Sequence, residues 1–120
     1  MKIEIPGVDV EKGLDLYDDD TEIYLTVLRS YASNTPVVLD KMRNVSAETL
    51  PNYAICIHGV KGTSANIGAE ELRQAAMKLE AMAKAGDLSG ILAQNDAFLK
   101  RADKLMENIQ RWLRQHDAKP

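Results

Sequence analysis

The chain has 120 residues, of which 45% are hydrophobic and 28% charged, and its net charge is −3. This balance is typical of one globular domain with one core, and it argues against a disordered chain or two ordinary domains. Positive and negative residues are mixed along the sequence and no apolar stretch approaches ~20 residues, so we expect a single domain over residues 1–120 with no nucleic-acid partner and no membrane insertion.

The start of the chain and its single cysteine bear on location. Cys56 lies in an apolar run and has no partner for an internal disulfide, which is expected of a small core residue in a reduced compartment. The first residues lack the apolar core of a signal peptide, so we predict a cytoplasmic location. The segment EIPGVDVEKGL would also suit a domain that follows a linker in a longer chain.

The N-terminal segment predicts little regular structure. MKIEIPGVDV has the composition of a strand, but Pro6 and Gly7 cut it short. A short helix is expected near Val10 to Tyr17, covering one end of the fold through Leu14 and either Leu16 or Tyr17.

The next segment, DDTEIYLTVLRSYASN, predicts the first long helix. Its apolar residues recur at helical spacing, and Asp19 followed by Glu22 resembles a capping box. The run Asp18 to Asp20 is better explained by capping than by a metal, because adjacent carboxylates lack the alternating spacing of a calcium loop. Pro36 removes a backbone donor, so we expect a break there and a second short helix from Pro36 to about Arg43.

The C-terminal half predicts two long helices that are almost directly connected. Gly86 is a stop signal and Asp87 a candidate N-cap. The apolar stripe before this junction comprises Leu72, Ala76, Leu79 and Ala83, and the stripe after it comprises Ile91, Leu92, Phe98, Ala102, Leu105, Ile109 and Trp112. The methionines, including Met77, Met82 and Met106, are interpreted as core filler, and His116 as solvated surface.

Together these patterns predict an all-α fold. We expect an antiparallel, up-and-down four-helix bundle with a short extra N-terminal helix. The bundle helices should span about 20–44 with a break at Pro36, about 48–67, about 69–85 and about 88–115.

The second predicted bundle helix contains IHGVKGTSANIG and presents two different faces at about 100 degrees per residue. The apolar face, which should be buried, comprises Tyr53, Ile57, Val60, Ser64 and Ile67. The other face lies roughly 120 degrees away and comprises Ala54, His58, Lys61, Gly62 and Ala65. His58 is therefore expected to project outward.

The glycines beside His58 favour a functional interpretation. Gly59 and Gly62 each cost a helix interior about 1 kcal/mol relative to alanine, so a purely structural helix would not favour them. The missing side chain at Gly62 lets another molecule approach the imidazole, and Lys61 can meet a negative charge there. This is the layout of a histidine that accepts a phosphoryl group.

The segment HGVKGTSANIGAEELRQAAMKLEAMAKAGD resembles the signature of histidine-containing phosphotransfer (HPt) domains. In that signature a histidine is followed by x-x-Lys-Gly, a small residue, a later Gly-Ala and a Leu-Glu on the next helix. The matching positions are His58, Lys61, Gly62, Ser64, Gly68, Ala69, Leu72, Leu79 and Glu80. The preceding segment, GVDVEKGLDLYDDDTEIYLTVLRSYASN, resembles the family's opening segment and first bundle helix, so the resemblance spans most of the chain.

The resemblance implies a phosphorelay intermediate that takes a phosphoryl group from one receiver-domain aspartate and passes it to another. His58 would be the nucleophile, Lys61 would offset charge, and Gly62 would keep the approach open. A mostly apolar patch with Ala54, Ile55 and Ala65 would contact the partner, a receiver domain of a response regulator or hybrid sensor kinase.

The resemblance also bears on which activities, cofactors and metals to expect. We expect a monomeric phosphocarrier without kinase or ATPase activity, cofactor or metal of its own, with magnesium supplied by the receiver domain. GVKGTSANIG lies within a predicted helix and lacks the Gly-Lys-Ser/Thr of a nucleotide-binding loop, which agrees with this expectation.

Two other classes of function remain open at this point. One is an adaptor bundle that only binds partners, which would give no reason for Gly62 beside His58. The other is a hydrolase that uses His58 as a base, which would need a cleft and a third, orienting group. No orienting carboxylate occurs in the local sequence, although the fold could bring a distant one near.

Overall fold

The computed structural model describes residues 2–118, and this range is helical with no strand. The helices are α1 (Val10–Asp15), α2 (Thr21–Asp40), α3 (Leu50–Ala65), α4 (Glu70–Lys84) and α5 (Leu88–Asp117). Helix α2 contacts α3, α3 contacts α4, α4 contacts α5, and α5 contacts α2, which closes a four-helix bundle. The predicted fold class, a four-helix bundle with a short extra N-terminal helix, is confirmed.

Side-chain caps mark the first residues of α2 and α5. The carboxylate of Asp87 accepts the backbone N–H of Gly90, as the sequence predicts for the start of α5. At the start of α2 the cap is Asp20, which accepts the N–H of Ile23. The predicted capping box at Asp19 is wrong, because Asp18 and Asp19 have positive φ (52° and 61°) in the turn before the helix.

The predicted break at Pro36 is also wrong, since α2 continues through Pro36 and ends at Asp40. Proline at position 36 leaves the carbonyl of Ala32, one turn earlier, without its helical donor. The side-chain Nε2 of Gln110, on α5, lies 3.5 Å from that oxygen and donates to it. A tertiary contact thus replaces the missing helical hydrogen bond, and Arg43 lies beyond the helix.

Most of the predicted apolar stripes are buried. Two expectations fail: Leu92 is 55% exposed and Met77 is 46% exposed. Helix α1 ends at Asp15, and Leu14 and Tyr17 pack against the core, whereas Leu16 is 59% exposed. Of the two predicted alternatives for covering this end, the one with Tyr17 is confirmed.

Two parts of the chain, the N-terminal segment and the last turn of α5, contact more of the molecule than the sequence suggests. Ile3 and Ile5, in the extended N-terminal segment, are buried in the core. His116, expected to be solvated, is half-buried and stacks on Trp112 with ring centroids 4.9 Å apart and an interplanar angle of 10°.

The turn between α3 and α4 is attached to α2 and to the residues on either side of α1. The carbonyls of Asn66 and Ile67 accept hydrogen bonds from the hydroxyls of Tyr17 and Tyr24, each at 2.8 Å. Gly68 has φ +84°, and a Cβ there would overlap the carbonyl oxygen of Asp9, so the turn requires glycine. These contacts fix the C-terminal end of α3.

Buried polar contacts fix the rotation of α3 about its axis. Ser64 is fully buried and shares a 2.9 Å hydrogen bond with the hydroxyl of Tyr31 on α2. Tyr53 donates to Asn95 of α5 at 2.9 Å, and Asn95 donates in turn to the carbonyl of Met42 at 2.8 Å. With Tyr53 and Ser64 held inward, the opposite face of α3 must point to solvent.

Candidate functional site

Helix α3 presents His58 to solvent, as its position on the helix predicts. The His58 side chain is 68% exposed, whereas its neighbours Ile57 and Val60 are buried in the core. The predicted exposure of this imidazole is therefore confirmed.

The surface around His58 is open along α3. A Cβ placed at Gly59 or at Gly62 would meet no atom within 4 Å apart from its own helix and neighbours. Each glycine therefore leaves free space beside the imidazole and is not required by a close contact within the protein. Four grooves of the described surface lie between α4 and α5, along the N-terminal segment, and between α2 and α5, and His58 lines none of these four.

A carboxylate from the neighbouring helix holds the ring. Glu80, on α4, is only 5% exposed, and its Oε2 lies 2.5 Å from Nδ1 of His58. Its other oxygen, Oε1, accepts a hydrogen bond from Nζ of Lys61 at 2.5 Å. An ionised carboxylate only accepts, so Nδ1 must be the donor, and a neutral ring then has its free lone pair on Nε2.

The charge of Glu80 is stabilised by the same contacts. The hydrogen bond from Lys61 is the main cause that lowers the pKa of Glu80 to about 2, with smaller contributions from the His58 hydrogen bond and from the charges of Lys61 and Lys84, while burial acts in the opposite direction. Glu80 is therefore ionised at neutral pH, so it can keep the Nδ1 proton in place.

The helical pattern of α3 could not predict Glu80 as a site residue, because Glu80 belongs to α4. It belongs to the matched signature, but the predicted site contained only residues of α3. The sequence did hold a signal, because Glu80 lies one turn after Ala76 and next to Leu79 on the buried side of α4. A carboxylate rarely lies on a buried face without a positive partner or a hydrogen-bond donor.

The residues of the predicted partner patch lie on the same helix as His58. Ile55 is 71% exposed, while Ala54 and Ala65 are half-buried. The predicted patch thus combines one exposed apolar side chain with two small, half-buried ones.

Two observations concern metals and membranes. Among residues 2–118, no three His, Cys, Asp or Glu side chains are placed so that they could hold a metal ion. None of the helices in this range is both long enough and apolar enough to cross a membrane.

The fold is a helical bundle, and the site is an exposed histidine whose ring is hydrogen-bonded to a carboxylate. The family model described as Hpt domain matches residues 26–112, which include α3, α4 and most of α5. The chain therefore belongs to the Hpt domain family, whose members are phosphotransfer intermediates of two-component signalling that interact with receiver domains. The comparisons with curated proteins and with solved structures gave no match.

Proposed function

We propose that this protein is a phosphorelay intermediate that carries a phosphoryl group on Nε2 of His58 and exchanges it with receiver-domain aspartates. The observation that carries the proposal is the contact between Glu80 Oε2 and His58 Nδ1, because it leaves Nε2 as the nucleophile on an exposed ring. Membership in the Hpt domain family supports the same role.

In the proposed transfer, the Nε2 lone pair forms a bond to phosphorus while the P–O bond of the donor aspartyl phosphate breaks. The electron pair of that bond returns to the aspartate carboxylate. No proton needs to move, since the Nδ1 proton stays between the ring and Glu80. The ring gains a positive charge during this step, and the adjacent carboxylate of Glu80 stabilises it.

Lys61 and Gly62 have supporting roles in this proposal. Lys61 places a positive charge near the ring and holds Oε1 of Glu80, so its removal should slow transfer without abolishing it. Gly62 leaves the space that a receiver domain needs, and Ala54, Ile55 and Ala65 contribute to its contact surface.

The remaining expectations belong to the proposal as well. Hpt domains are phosphocarriers rather than enzymes, and we propose that this one has no kinase or ATPase activity and no cofactor of its own. The receiver domain supplies magnesium through its acidic site. We propose further that the protein acts as a monomer in the cytoplasm.

The test is incubation with a magnesium-loaded receiver domain that has been phosphorylated by acetyl phosphate, followed by intact-mass measurement. We expect the protein to gain one acid-labile phosphate. His58→Gln should lose this gain, whereas the matched control His116→Gln should keep it. An unmodified parent protein, in the presence of a receiver shown to be phosphorylated, would contradict the proposal.

The same experiment separates the two alternatives. An adaptor would bind the receiver but gain no phosphate. A hydrolase would use Glu80 as the orienting carboxylate, which the fold does bring near His58, but it also needs a cleft, and none of the grooves described above includes this histidine.

A further inference from the structure

A continuous groove runs between α4 and α5 and has no role in the transfer described above. It consists of two adjoining cavities of about 370 and 340 Å³, and Glu71 and Arg101 line both of them. On α5 the lining extends from Ala93 to Asn108, which is roughly 22 Å at 1.5 Å per residue. This α4–α5 groove therefore has the length of a helix of about four turns.

The lining of the α4–α5 groove is largely apolar and small. It includes the buried side chains of Leu72, Leu79 and Phe98 and the small side chains of Ala75, Ala93 and Ala97. Small side chains on both helices let the backbone of a third helix come close, at the interaxial distance of about 8–10 Å that is usual for packed helices. The groove thus has the shape that a docked helix requires.

The charged residues of the groove are mostly positive, although the whole chain has a net charge of −3. Lys78, Arg101 and Lys104 line it together with one carboxylate, that of Glu71, and all four residues are exposed. Within residues 2–118, Lys78 and Arg101 make no ion pair, and Lys104 has only an exposed pair with Glu107 at 3.6 Å. These cations are available to the carboxylates of a ligand.

The α4–α5 groove and the histidine site use different faces of α4. Glu71, Ala75 and Lys78 follow one another at intervals of four and three residues, so they share the face towards α5. Glu80 comes two positions after Lys78, which is about 200 degrees around the helix, and it contacts His58 on the side of α3. An occupant of the groove therefore leaves the imidazole exposed.

Length, shape and charge together indicate the occupant. An amphipathic helix fills a groove between two helices with its apolar face, and acidic residues beside that face can meet the cations of the groove. Two copies of this chain placed groove to groove would bring Lys78 and Arg101 against the same residues of the other copy, and like charges in an interface repel. The charges therefore favour an acidic helix of another protein over a second copy.

We propose that the α4–α5 groove is a docking site for an acidic amphipathic helix of a partner protein. Apolar side chains of that helix pack between α4 and α5, and its carboxylates pair with Lys78, Arg101 and Lys104. A receiver domain can contact His58 while this helix is bound. The groove thereby tethers the protein to a partner without covering the surface around the ring.

The probe for this site is a designed, stapled helical peptide of about 15 residues, which matches the length of the groove. It has leucines along one face and glutamates on both sides of them, and the control peptide has lysine in place of every glutamate. Fluorescence anisotropy gives the affinities, and amide shifts of the ¹⁵N-labelled protein give the binding site. We expect the acidic peptide to bind about tenfold or more tightly than the basic one, with shifts at the groove. Equal affinities of the two peptides would overturn the inference.

Matched variants test the charge and the shape of the groove separately. Arg101→Glu should weaken binding of the acidic peptide by about tenfold or more, whereas Arg111→Glu, exposed on α5 outside the groove, should change it by less than about twofold. Ala97→Gln should also weaken binding because the longer side chain occupies the groove, but Ala81→Gln, exposed on α4 outside it, should not. Unchanged melting temperatures show that the fold is intact. Equal affinities within either pair of variants would contradict the proposal.

Sedimentation of the free protein tests the other occupant, a second copy. We expect a monomer with or without the substitution Ala97→Gln. A dimer that this substitution dissociates would show that a second copy fills the groove, and it would overturn the inference.

The last measurement tests whether the groove and His58 are independent. It uses phosphoramidate, a small phosphoryl donor that reacts without a receiver domain: Nε2 bonds to phosphorus, the P–N bond of the donor breaks, and ammonia leaves. Under the proposed function, the rate of phosphate gain, measured by intact mass, should be the same with and without saturating acidic peptide. A rate that falls by about tenfold or more with the peptide would show that the two sites overlap. A protein that gains no phosphate would contradict the proposed function alone, because peptide binding is measured independently.

Discussion

At the scale of single residues, the site depends on one buried carboxylate. Glu80 orients His58 through one oxygen and holds Lys61 through the other. The identity and exposure of His58 were predictable from the pattern of α3 alone. The orientation of its ring was not, because it depends on how α3 and α4 are placed side by side, which no local pattern encodes.

The first prediction concerns the pH dependence of stability. The pKa of Glu80 is lowered from 4.5 to about 2 in the folded state, so its contribution is fully present above about pH 4.5 and is lost as the pH falls towards 2. Glu80→Gln removes this contribution. The difference in unfolding free energy between parent and variant, measured by urea denaturation, should therefore shrink as the pH falls from 7 to 3.

The matched control for this measurement is Glu71→Gln, an exposed position on the same helix. The difference in unfolding free energy between Glu71→Gln and the parent should change less over this pH range. A difference for Glu80→Gln that stays constant with pH would show that the ion pairs of Glu80 do not stabilise the fold.

The second prediction concerns access to His58. Gly62→Gln should slow transfer from a phosphorylated receiver by about tenfold or more, because the larger side chain prevents close approach. Reaction with phosphoramidate should change much less, since this donor is small. Helix propensity favours glutamine by roughly 0.5–1 kcal/mol, so the melting temperature should not fall.

The control for access is Gly62→Ala, which adds only a methyl group to open space. It should transfer nearly as fast as the parent. Equal receiver transfer by the parent and by Gly62→Gln would refute the role of this glycine in partner access.

At the scale of helices, the sequence predicted which elements exist and how they are ordered better than it predicted their continuity. The junction at Gly86 and Asp87 was predictable because glycine and an N-cap aspartate act locally. Pro36 misled the prediction because its effect on α2 is compensated by Gln110, which is 74 residues further along the chain. Long-range compensation of this kind cannot be read from a helical pattern.

The third prediction tests that compensation. Gln110→Leu should lower the unfolding free energy by about 1 kcal/mol in the parent protein, because the carbonyl of Ala32 loses its donor. In a Pro36→Ala background the backbone N–H of residue 36 can reach this carbonyl, so the same substitution should cost less. Urea denaturation of the four proteins in this double-mutant cycle gives the coupling energy. Equal costs in both backgrounds would mean that Gln110 does not replace the missing hydrogen bond.

At the scale of the whole molecule, the bundle includes a segment that has no regular structure. Ile3 and Ile5 are in the core, although Pro6 and Gly7 correctly indicated that the segment is not a strand. The sequence could not show that these side chains are buried, because two isoleucines without helical or strand periodicity carry no directional signal.

The fourth prediction concerns this segment. Ile5→Ala should lower the unfolding free energy by about 2–4 kcal/mol, since the side chain is 4% exposed in the core. The matched control, Ile55→Ala, removes the same atoms from a side chain that is 71% exposed and should cost less than about 0.5 kcal/mol. Thermal or urea unfolding of both variants provides the measurement. Similar losses would show that the N-terminal segment does not contribute to the core.

The exposed position of His58 on α3 also has a consequence for timing. Under the proposed function, a phosphoryl group on this ring is exposed to water, and its lifetime then depends on how fast the P–N bond hydrolyses. That lifetime sets how long the protein stays phosphorylated after it has received the group. A receiver domain that binds after this lifetime meets an unphosphorylated protein. Under this proposal, the same exposure that lets a receiver domain reach the ring also leaves the P–N bond open to water.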